Sequence, residues 1–346
     1  MAGKPFKGKK KPNRTYANRK PLWTPLAGIT QSALTKFVDN PEEFAQSYID
    51  GVTSNKVKDS LEFGNLFHLC CEFQGKASAI AIAKKCCDSY QKTRGTSVGP
   101  KEMFDLQKLI SKVRTVFPLY EAYWREKEKL KKWVSREKMF SVPYTFKDID
   151  GKPVTINLVG KRDGVFRNKP GDLCLRETKT KSEINMEAIR DGLRADFQTL
   201  FYILAARLEF KEDIKEVDYN IIRNPGQHYT KTDSLQSYQK KIETDIGKRP
   251  SHYFARFLVT LSPDTIERFC QMSLDPALRR LLQWWRSVEA RPFDRWASPY
   301  HLLNLPALTS GRYGRSDLYE KIIRGQRTGY SIRTTAFPEL SESILN

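Results

Sequence analysis

Long apolar runs and paired cysteine motifs are both missing from this sequence. The longest apolar run, from Phe201 to Ala206, is far too short to cross a bilayer. No apolar segment follows the basic start, so we expect no signal peptide. None of the cysteines shows the Cys-x-x-Cys spacing of a zinc site. We therefore expect reduced, mostly buried thiols and a cytoplasmic protein. The six cysteines are Cys70, Cys71, Cys86, Cys87, Cys174 and Cys270.

Acidic residues are scarce relative to basic ones. The 40 Asp and Glu residues face 60 Lys and Arg residues, which leaves a net charge of +20. Such an excess favours a polyanionic partner, most simply nucleic acid, and a membrane surface is the competing interpretation. Residues 1–20 carry eight basic side chains and no acidic one. We predict a disordered basic arm over residues 1–28, which serves either solubility or sequence-independent phosphate binding.

No internal repeat and no long low-complexity linker divides the chain. Apolar residues at helical spacing predict a helical N-terminal part over residues 29–135. Strand-like alternation begins near Lys138, and Asp150-Gly151 predicts a hairpin turn after it. We interpret residues 136–290 as a mixed α/β core, and we assign no fold to residues 291–346.

The helical part contains one histidine in a strongly apolar segment. Leu61 to Phe73 is predicted to be a helix, and His68 follows Gly64 by one turn, so the two share a face. A lone histidine in such a helix is usually a core residue, and a metal-ligand role is the alternative.

The segment from Gly160 to Lys181 predicts two strands around a turn at residues 168–172. Side chains alternate along a strand, so Glu177 and Lys179 point the same way, while Asp163 approaches from the neighbouring strand. Two carboxylates can hold a hard divalent cation beside an attacked phosphate, with the ammonium close by. An ordinary cross-strand salt bridge is the competing interpretation.

A further helix is predicted from Met186 to Phe210. Its polar residues Arg194, Gln198 and Tyr202 recur every four positions and line one face. They form either an ordinary polar stripe or part of a site. Beyond this helix we predict strands and helices in alternation. They are strands at residues 217–222 and 254–261 and helices at residues 263–272 and 276–290.

Four motifs stand in a fixed order, and together they resemble one nuclease family. They are Gly64-x-x-x-His68, Gly160-x-x-Asp163, Glu177-Thr178-Lys179 and Gln198-x-x-x-Tyr202. With the segment from Ser32 to Phe44, this order resembles the RecB-type branch of the PD-(D/E)XK nuclease superfamily. That branch includes recombination helicase–nucleases, CRISPR-associated exonucleases and phage exonucleases. The resemblance covers residues 31–210 and implies a restriction-endonuclease-like α/β core, with a mixed central sheet flanked by helices.

The resemblance also implies roles for individual residues. The metal ligands would be His68, Asp163, Glu177 and the carbonyl of Thr178. Lys179 would orient the attacking water and steady the charge that develops on the phosphate, with Gln198 and Tyr202 lining the site. Nucleic-acid contacts would come from Arg194, Gln198, Tyr202, Lys161 and Lys181. Mg²⁺ or Mn²⁺ is the expected ion, because carboxylates bind it and histidine also suits manganese.

Many members of this branch hold an iron–sulfur cluster with four cysteines. Here Asn40 occupies the first cysteine position, and no cysteine follows Cys270. Because cluster iron requires thiolates, we predict no iron–sulfur cluster. We expect aromatic side chains such as Trp296, Tyr300 or Tyr313 to tie the tail to the helix after Asn40 instead.

The leading hypothesis is a metal-dependent DNA nuclease. We expect an exonuclease on linear or single-stranded DNA in a bacterial or phage-infected cell, with a recombination or single-strand-binding protein as a partner. The alternatives are a silent nuclease-like module that binds DNA and a structure-specific or RNA-directed nuclease.

Overall fold

Five strands form one mixed sheet in the computed structural model of the chain. The structure describes residues 21–54, 59–95, 99–185, 196–214, 216–262, 264–289 and 330–340, together with residues 187, 189 and 192. The strands of the chain are β1 (Val52–Ser54), β2 (Lys132–Lys147), β3 (Pro153–Arg167), β4 (Leu173–Lys181), β5 (Glu216–Arg223), β6 (Phe254–Thr260) and β7 (Tyr330–Ile332). The sheet order is β2-β3-β4-β5-β6, with β4 and β5 parallel and the other neighbours antiparallel.

Helices cover the sheet on both faces. They are α1 (Gln31–Asp39), α2 (Pro41–Phe44), α3 (Asp59–Glu72), α4 (Ala79–Gly95), α5 (Pro100–Lys129), α6 (Phe197–Phe210), α7 (Leu235–Lys248), α8 (Thr265–Phe269) and α9 (Asp275–Glu289). One apolar core joins α1, α2, α6 and α9 to one face of the sheet. The other core joins α3, α4, α5 and α7 to the opposite face. The predicted α/β class, with a mixed central sheet between helices, is therefore confirmed.

Local sequence explains where several of these elements begin. The Thr30 side chain caps α1 by accepting a hydrogen bond from the Ala33 amide. Asn40 caps α2, since its Oδ1 accepts from the Glu43 amide at 3.1 Å. Asp196 caps α6 through the Thr199 amide. Among the described residues no helix is long and apolar enough to cross a membrane.

The helix α7 is not among the helices predicted from the sequence. Ser234 and Ser237 form a reciprocal capping box, in which serine takes the place of the usual glutamate. Tyr238, Ile242 and Ile246 recur every four residues, and all three are buried. This apolar stripe packs the helix against α5, while the rest of its surface is polar.

The last two helices are predicted as separate, at residues 263–272 and 276–290, but the structure joins them. A π-helical turn over Cys270–Leu274 joins α8 directly to α9. Pro276, in the first turn of α9, has no amide hydrogen to donate, and the ladder widens to π geometry immediately before it.

The two ends of the described chain meet beside α2. The strand β1 pairs with β7 in an antiparallel two-stranded sheet, and the Phe337 ring contacts the Tyr48 ring. Packed structure also begins earlier than the predicted boundary at residue 28, because Trp23 is fully buried and donates a hydrogen bond to the Gly28 carbonyl. Residues 1–20 of the predicted arm and the aromatic residues Trp296, Tyr300 and Tyr313 lie outside the described residues.

Candidate active site

The candidate site lies where two neighbouring strands separate. Pairing between β3 and β4 runs from Arg167–Leu173 to Gly164–Arg176. Farther along β3, Ile29 occupies the edge of the strand, since its amide donates to the Asn157 carbonyl at 2.8 Å. The separation places Asp163 and Glu177 at the start of a gap between the strands.

Asp163 is anchored across this gap by a backbone amide. The Thr178 amide donates to Asp163 Oδ2 at 2.6 Å. This contact fixes the first carboxylate of the site relative to the strand that carries the second one. The structure thus assigns the Thr178 amide to Asp163, while a metal-ligand role for the Thr178 carbonyl stays a prediction.

Glu177 and Lys179 point the same way from β4, as the strand period predicts. Lys179 Nζ lies 2.6 Å from Glu177 Oε1. The same ammonium donates a hydrogen bond to the side-chain oxygen of Gln198 on α6. Glu177 is fully buried, and apart from the Lys179 ammonium its carboxylate oxygens have no hydrogen-bond donor among the described residues. A buried carboxylate in this state offers its lone pairs to a bound cation.

His68 reaches the same place from α3. Its Nδ1 lies 2.8 Å from Glu137 Oε1 and 3.5 Å from Asp163 Oδ1. The imidazole faces two carboxylates, so His68 does not lie in the purely apolar environment of an ordinary core residue. His68, Glu137 and Asp163 each offer one ligand atom, and these atoms all lie within 4.8 Å of one another.

The helix α3 can approach the sheet this closely because of a glycine. A Cβ on Gly64 would lie 2.9 Å from Thr180 Oγ1 on β4. That distance is too short for ordinary van der Waals contact, so a side chain at this position would force either the Thr180 side chain or the helix to shift. Gly64 therefore positions His68, which follows one turn later.

A second glycine makes room on β3. A Cβ on Gly160 would lie 2.7 Å from the Phe140 ring and 3.4 Å from the Tyr202 ring. The Tyr202 ring contacts Phe140 edge to face, with centroids 5.8 Å apart, and Tyr202 is 9% exposed. Tyr202 therefore acts mainly by packing and through its hydrogen bond to Gln198, which in turn contacts Lys179.

Three carboxylates, those of Asp163, Glu177 and Glu137, meet the cationic groups of His68 and Lys179 at the site. Burial raises the pKa of Glu177 to about 7 despite the nearby Lys179 ammonium. Burial likewise raises the pKa of Asp163 to about 6, against the opposing effect of His68. Burial disfavours the imidazolium of His68, but Asp163 and Glu137 outweigh it and raise the pKa of the ring to about 9. Protons thus partly neutralise acids that a divalent cation would neutralise in their place.

Glu137 is the member of this cluster that the sequence reading does not identify. It lies on β2 opposite Asp163, between the paired residues Arg136–Gly164 and Lys138–Arg162. Its backbone has φ +43°, the left-handed region that a glutamate adopts at a cost of roughly 1–3 kcal/mol. Counting residues outwards from the Asp150-Gly151 turn would have placed Glu137 opposite Asp163.

The remaining predicted contacts with nucleic acid separate into three cases. Lys181, at the end of β4, is exposed. Lys161 instead forms an ion pair with Glu72 at 2.8 Å, and its ammonium lies 3.8 Å from Glu137 Oε2. Arg194 lies outside the described residues. Of the predicted binding lysines, Lys181 has the exposure that a phosphate contact needs, whereas Lys161 is engaged within the protein.

A buried ion network fixes β4 immediately before the site. Arg176, the neighbour of Glu177, donates to Glu128 at 3.0 Å and to Asp218 at 2.7 Å. Burial opposes ionisation of the two acids, but Arg176, Arg256 and Lys131 together outweigh it and lower the pKa of each acid to about 2. Removal of one partner from such a buried network typically costs about 3–5 kcal/mol. The network therefore holds the strand that presents Glu177 and Lys179.

This fold and site define a class of protein. A mixed sheet that presents two acids and a lysine where its strands separate is the arrangement of a metal-dependent hydrolase. The family model of the PD-(D/E)XK nuclease superfamily matches residues 28–298, and the chain belongs to that superfamily. No curated protein matches the chain. Membership implies a nucleic-acid substrate and a nuclease activity that uses divalent metal ions.

The residues present fit such an ion. The site offers oxygen ligands from Asp163 and Glu137 and an imidazole nitrogen from His68, and the buried carboxylate of Glu177 lies beside Lys179 on the neighbouring strand. Hard divalent cations prefer carboxylate oxygens, and an imidazole is compatible with manganese.

Proposed function

We propose that the protein is a Mg²⁺- or Mn²⁺-dependent deoxyribonuclease that hydrolyses phosphodiester bonds. One observation carries this proposal: Asp163, Glu177, Lys179 and His68, distant in the chain, converge where β3 and β4 separate. A module that only binds DNA has no need of this set. The net charge of +20 supports a polyanionic substrate.

The catalytic roles follow from the contacts. Asp163, Glu177 and His68 would hold the divalent ion, which supplies a polarised phosphate and a more acidic water when bound. Lys179 is oriented by Glu177 and Gln198, so its ammonium is positioned to hold the attacking water and to stabilise charge on the phosphate. Burial opposes the charge on Lys179, but Glu177 outweighs it and raises the pKa of the ammonium. Lys179 therefore stays protonated and acts as a cation rather than as a base.

We further propose that the protein belongs to the RecB-type branch and acts as an exonuclease on linear or single-stranded DNA. The order of the four motifs supports the branch, and the exonuclease role rests on analogy with its members. Bacterial or phage DNA recombination, repair or degradation is the corresponding context, with a recombination or single-strand-binding protein as partner. The six free thiols are consistent with the cytoplasm.

We propose that this protein has no iron–sulfur cluster. At the first ligand position, Asn40 caps α2 through the Glu43 amide. Pairing of β1 with β7, rather than a cluster, would connect the N-terminal part of the described chain to its C-terminal part. The purified protein should be colourless and free of iron, and a brown, iron-containing preparation would refute this part.

Incubation with linear and circular DNA tests the proposal. We expect linear DNA to be degraded with Mg²⁺ or Mn²⁺, and neither substrate to be cut in EDTA. Cleavage of circular DNA would replace the exonuclease by an endonuclease, and a preference for RNA would change the substrate. Binding without cleavage under any metal would identify a silent binding module.

A further inference from the structure

We propose that Arg223, oriented by His252, binds a backbone phosphate of the nucleic-acid strand, next to the phosphate that is cut. Arg223 ends β5, and His252 lies in the short 3₁₀ turn Pro250–His252 that precedes β6. Both residues lie outside the group that would hold the metal ion. This inference rests on the proposed function and adds a phosphate subsite that the sequence motifs do not contain.

Arg223 carries a charge that no acid neutralises. Its Nη1 donates to Nε2 of His252 and lies 3.3 Å from Nδ1 of the same ring, and no carboxylate among the described residues forms an ion pair with it. Every other arginine in the five-stranded sheet forms an ion pair with a carboxylate. Those arginines are Arg136, Arg162, Arg167, Arg176 and Arg256. Arg223 is therefore the arginine of the sheet whose charge is available to an anion from outside the protein.

His252 orients this arginine without cancelling its charge. Burial holds the pKa of His252 below its usual value, and the charges of Arg223 and Arg249 lower it further. The opposing effects of Asp245 and Glu183 on this pKa are smaller. The ring is therefore neutral at pH 7 and accepts a hydrogen bond from the guanidinium. A carboxylate in the same place would orient the guanidinium too, but it would also neutralise the charge.

The backbone around this pair is fixed by hydrogen bonds. The Arg223 amide donates to the Tyr253 carbonyl at 2.8 Å, and the His252 amide donates to the Arg249 carbonyl at 3.0 Å. Arg249 is itself held by Asp245, with Nε 2.7 Å from Oδ1. Because the pair is ordered before a ligand arrives, a phosphate that binds there immobilises little further chain.

The sheet sets the position of Arg223 relative to the reacting centre. Arg223 pairs in register with Lys181 on the parallel strand β4, about 4.8 Å away across the sheet. Lys181 lies two residues beyond Lys179, a step of about 6.6 Å along the strand. Lys179 contacts Gln198 of α6, and Ile221, two residues before Arg223, packs in the core that contains α6. Lys179 and Arg223 therefore leave the sheet on the same side.

This spacing fits consecutive phosphates of one strand. A step of about 6.6 Å is close to the separation of neighbouring phosphates in a nucleic-acid backbone. When one phosphate lies beside Lys179, the next one along the strand therefore falls beside Lys181 and Arg223. A guanidinium can hold a phosphate through two parallel hydrogen bonds, which fixes the direction of the strand as well as its distance from the site.

Binding of a labelled single-stranded oligonucleotide in EDTA tests the subsite without cleavage. By fluorescence anisotropy, Arg223→Gln should bind at least about 10-fold more weakly, because it loses a charge-assisted contact. The slope of log Kd against log salt should fall by about 0.7. Arg167→Gln makes the same change in charge at the opposite end of the hairpin, where Arg167 pairs with Glu212. This control should change the affinity by less than about 2-fold.

Substitutions of His252 separate phosphate binding from a structural role. His252→Gln keeps a neutral acceptor for Arg223 and should bind within about 3-fold of the unmodified protein. His252→Glu should weaken binding as much as Arg223→Gln, while its new ion pair with Arg223 keeps or raises Tm. A structural pair would give the opposite result, because Glu would preserve it and affinity would not fall. His252→Glu also provides a second variant if Arg223→Gln fails to fold.

A neutral methylphosphonate next to the cleaved phosphodiester tests the position of the subsite. On one of the two sides of the cut it should slow single-turnover cleavage by the unmodified protein at least about 10-fold, with little further effect in Arg223→Gln. Unchanged affinity in both Arg223→Gln and His252→Glu would overturn the subsite even if the protein cleaves DNA. Weaker binding by both variants in a protein that cleaves no nucleic acid would support the subsite, and the proposed function would then fail alone.

Discussion

Replacing Lys179 by alanine should abolish turnover and leave nucleic-acid affinity nearly intact. The ammonium contacts Glu177 Oε1 at 2.6 Å and the Gln198 side chain, and its side chain is 20% exposed. It is thus held inside the site rather than spread over the surface. Its removal takes away a positioned cation at the reacting phosphate.

The expected magnitude follows from comparable groups. A positioned proton-transfer or charge-stabilising group typically contributes about 10²–10⁴ in rate. This range corresponds to roughly 3–5 kcal/mol of activation free energy. Affinity depends on many phosphate contacts, so loss of one should weaken binding by less than about 5-fold at moderate salt.

Lys181 provides the matched control, because it lies two residues farther along β4 and is exposed. Lys181→Ala should weaken DNA binding modestly and reduce its salt dependence, with turnover at saturating DNA unchanged. Single-turnover cleavage and fluorescence anisotropy would be measured for both variants, with binding measured in Ca²⁺ or EDTA. If Lys179→Ala cleaved DNA at the normal rate, Lys179 would be an ordinary salt-bridge residue, and the proposed role would be wrong.

Three further predictions follow from the structure. Divalent-metal affinity should rise from pH 6 to about pH 9 and then level off, because the ligands must lose their protons before they bind the ion. The relevant groups are His68, with a pKa of about 9, and Glu177, with a pKa of about 7. Calorimetry at several pH values checks this, and a pH-independent affinity would contradict it. Lys211→Gly should raise the free energy of unfolding by about 0.5–1 kcal/mol in urea titrations, since Lys211 ends α6 with φ +57°; a loss of stability would refute this. Gly64→Ala should weaken metal binding at least about 10-fold, because the added methyl group meets Thr180 Oγ1. Adding Thr180→Ala to this variant should restore part of the affinity. Unchanged metal binding in Gly64→Ala would show that this close approach is unimportant.

The hairpin from Gly160 to Lys181 could be predicted because its signals are local. Asn168 to Asp172 form a turn, and the strand period places Glu177 and Lys179 on one face. The approach of α3 to this hairpin is a tertiary contact, which the sequence alone suggests only through the family motif. The resemblance, and not the local pattern, therefore led us to expect His68 and Asp163 close together, and in the structure they lie 3.5 Å apart.

Glu137 and Lys161 show what the pattern could not give. The count of residues from the Asp150-Gly151 turn would have placed Glu137 opposite Asp163, but no motif marks Glu137 as part of the site, and its left-handed backbone has no sequence signature. Lysine is a residue type that commonly contacts phosphates, but Glu72 on α3 forms an ion pair with Lys161. Whether a charged side chain faces solvent, substrate or another residue depends on tertiary contacts with elements that are distant in the sequence.

Cleavage of an end-labelled linear duplex by the unmodified protein and by Glu177→Gln tests the central claim most directly. This substitution keeps the shape of the buried side chain and removes the charge that would hold the cation. The unmodified protein should cut the duplex with Mg²⁺ or Mn²⁺ and not in EDTA, while Glu177→Gln should be at least about 10³-fold slower. Equal rates for the two proteins, or cleavage that persists in EDTA, would contradict hydrolysis at this site.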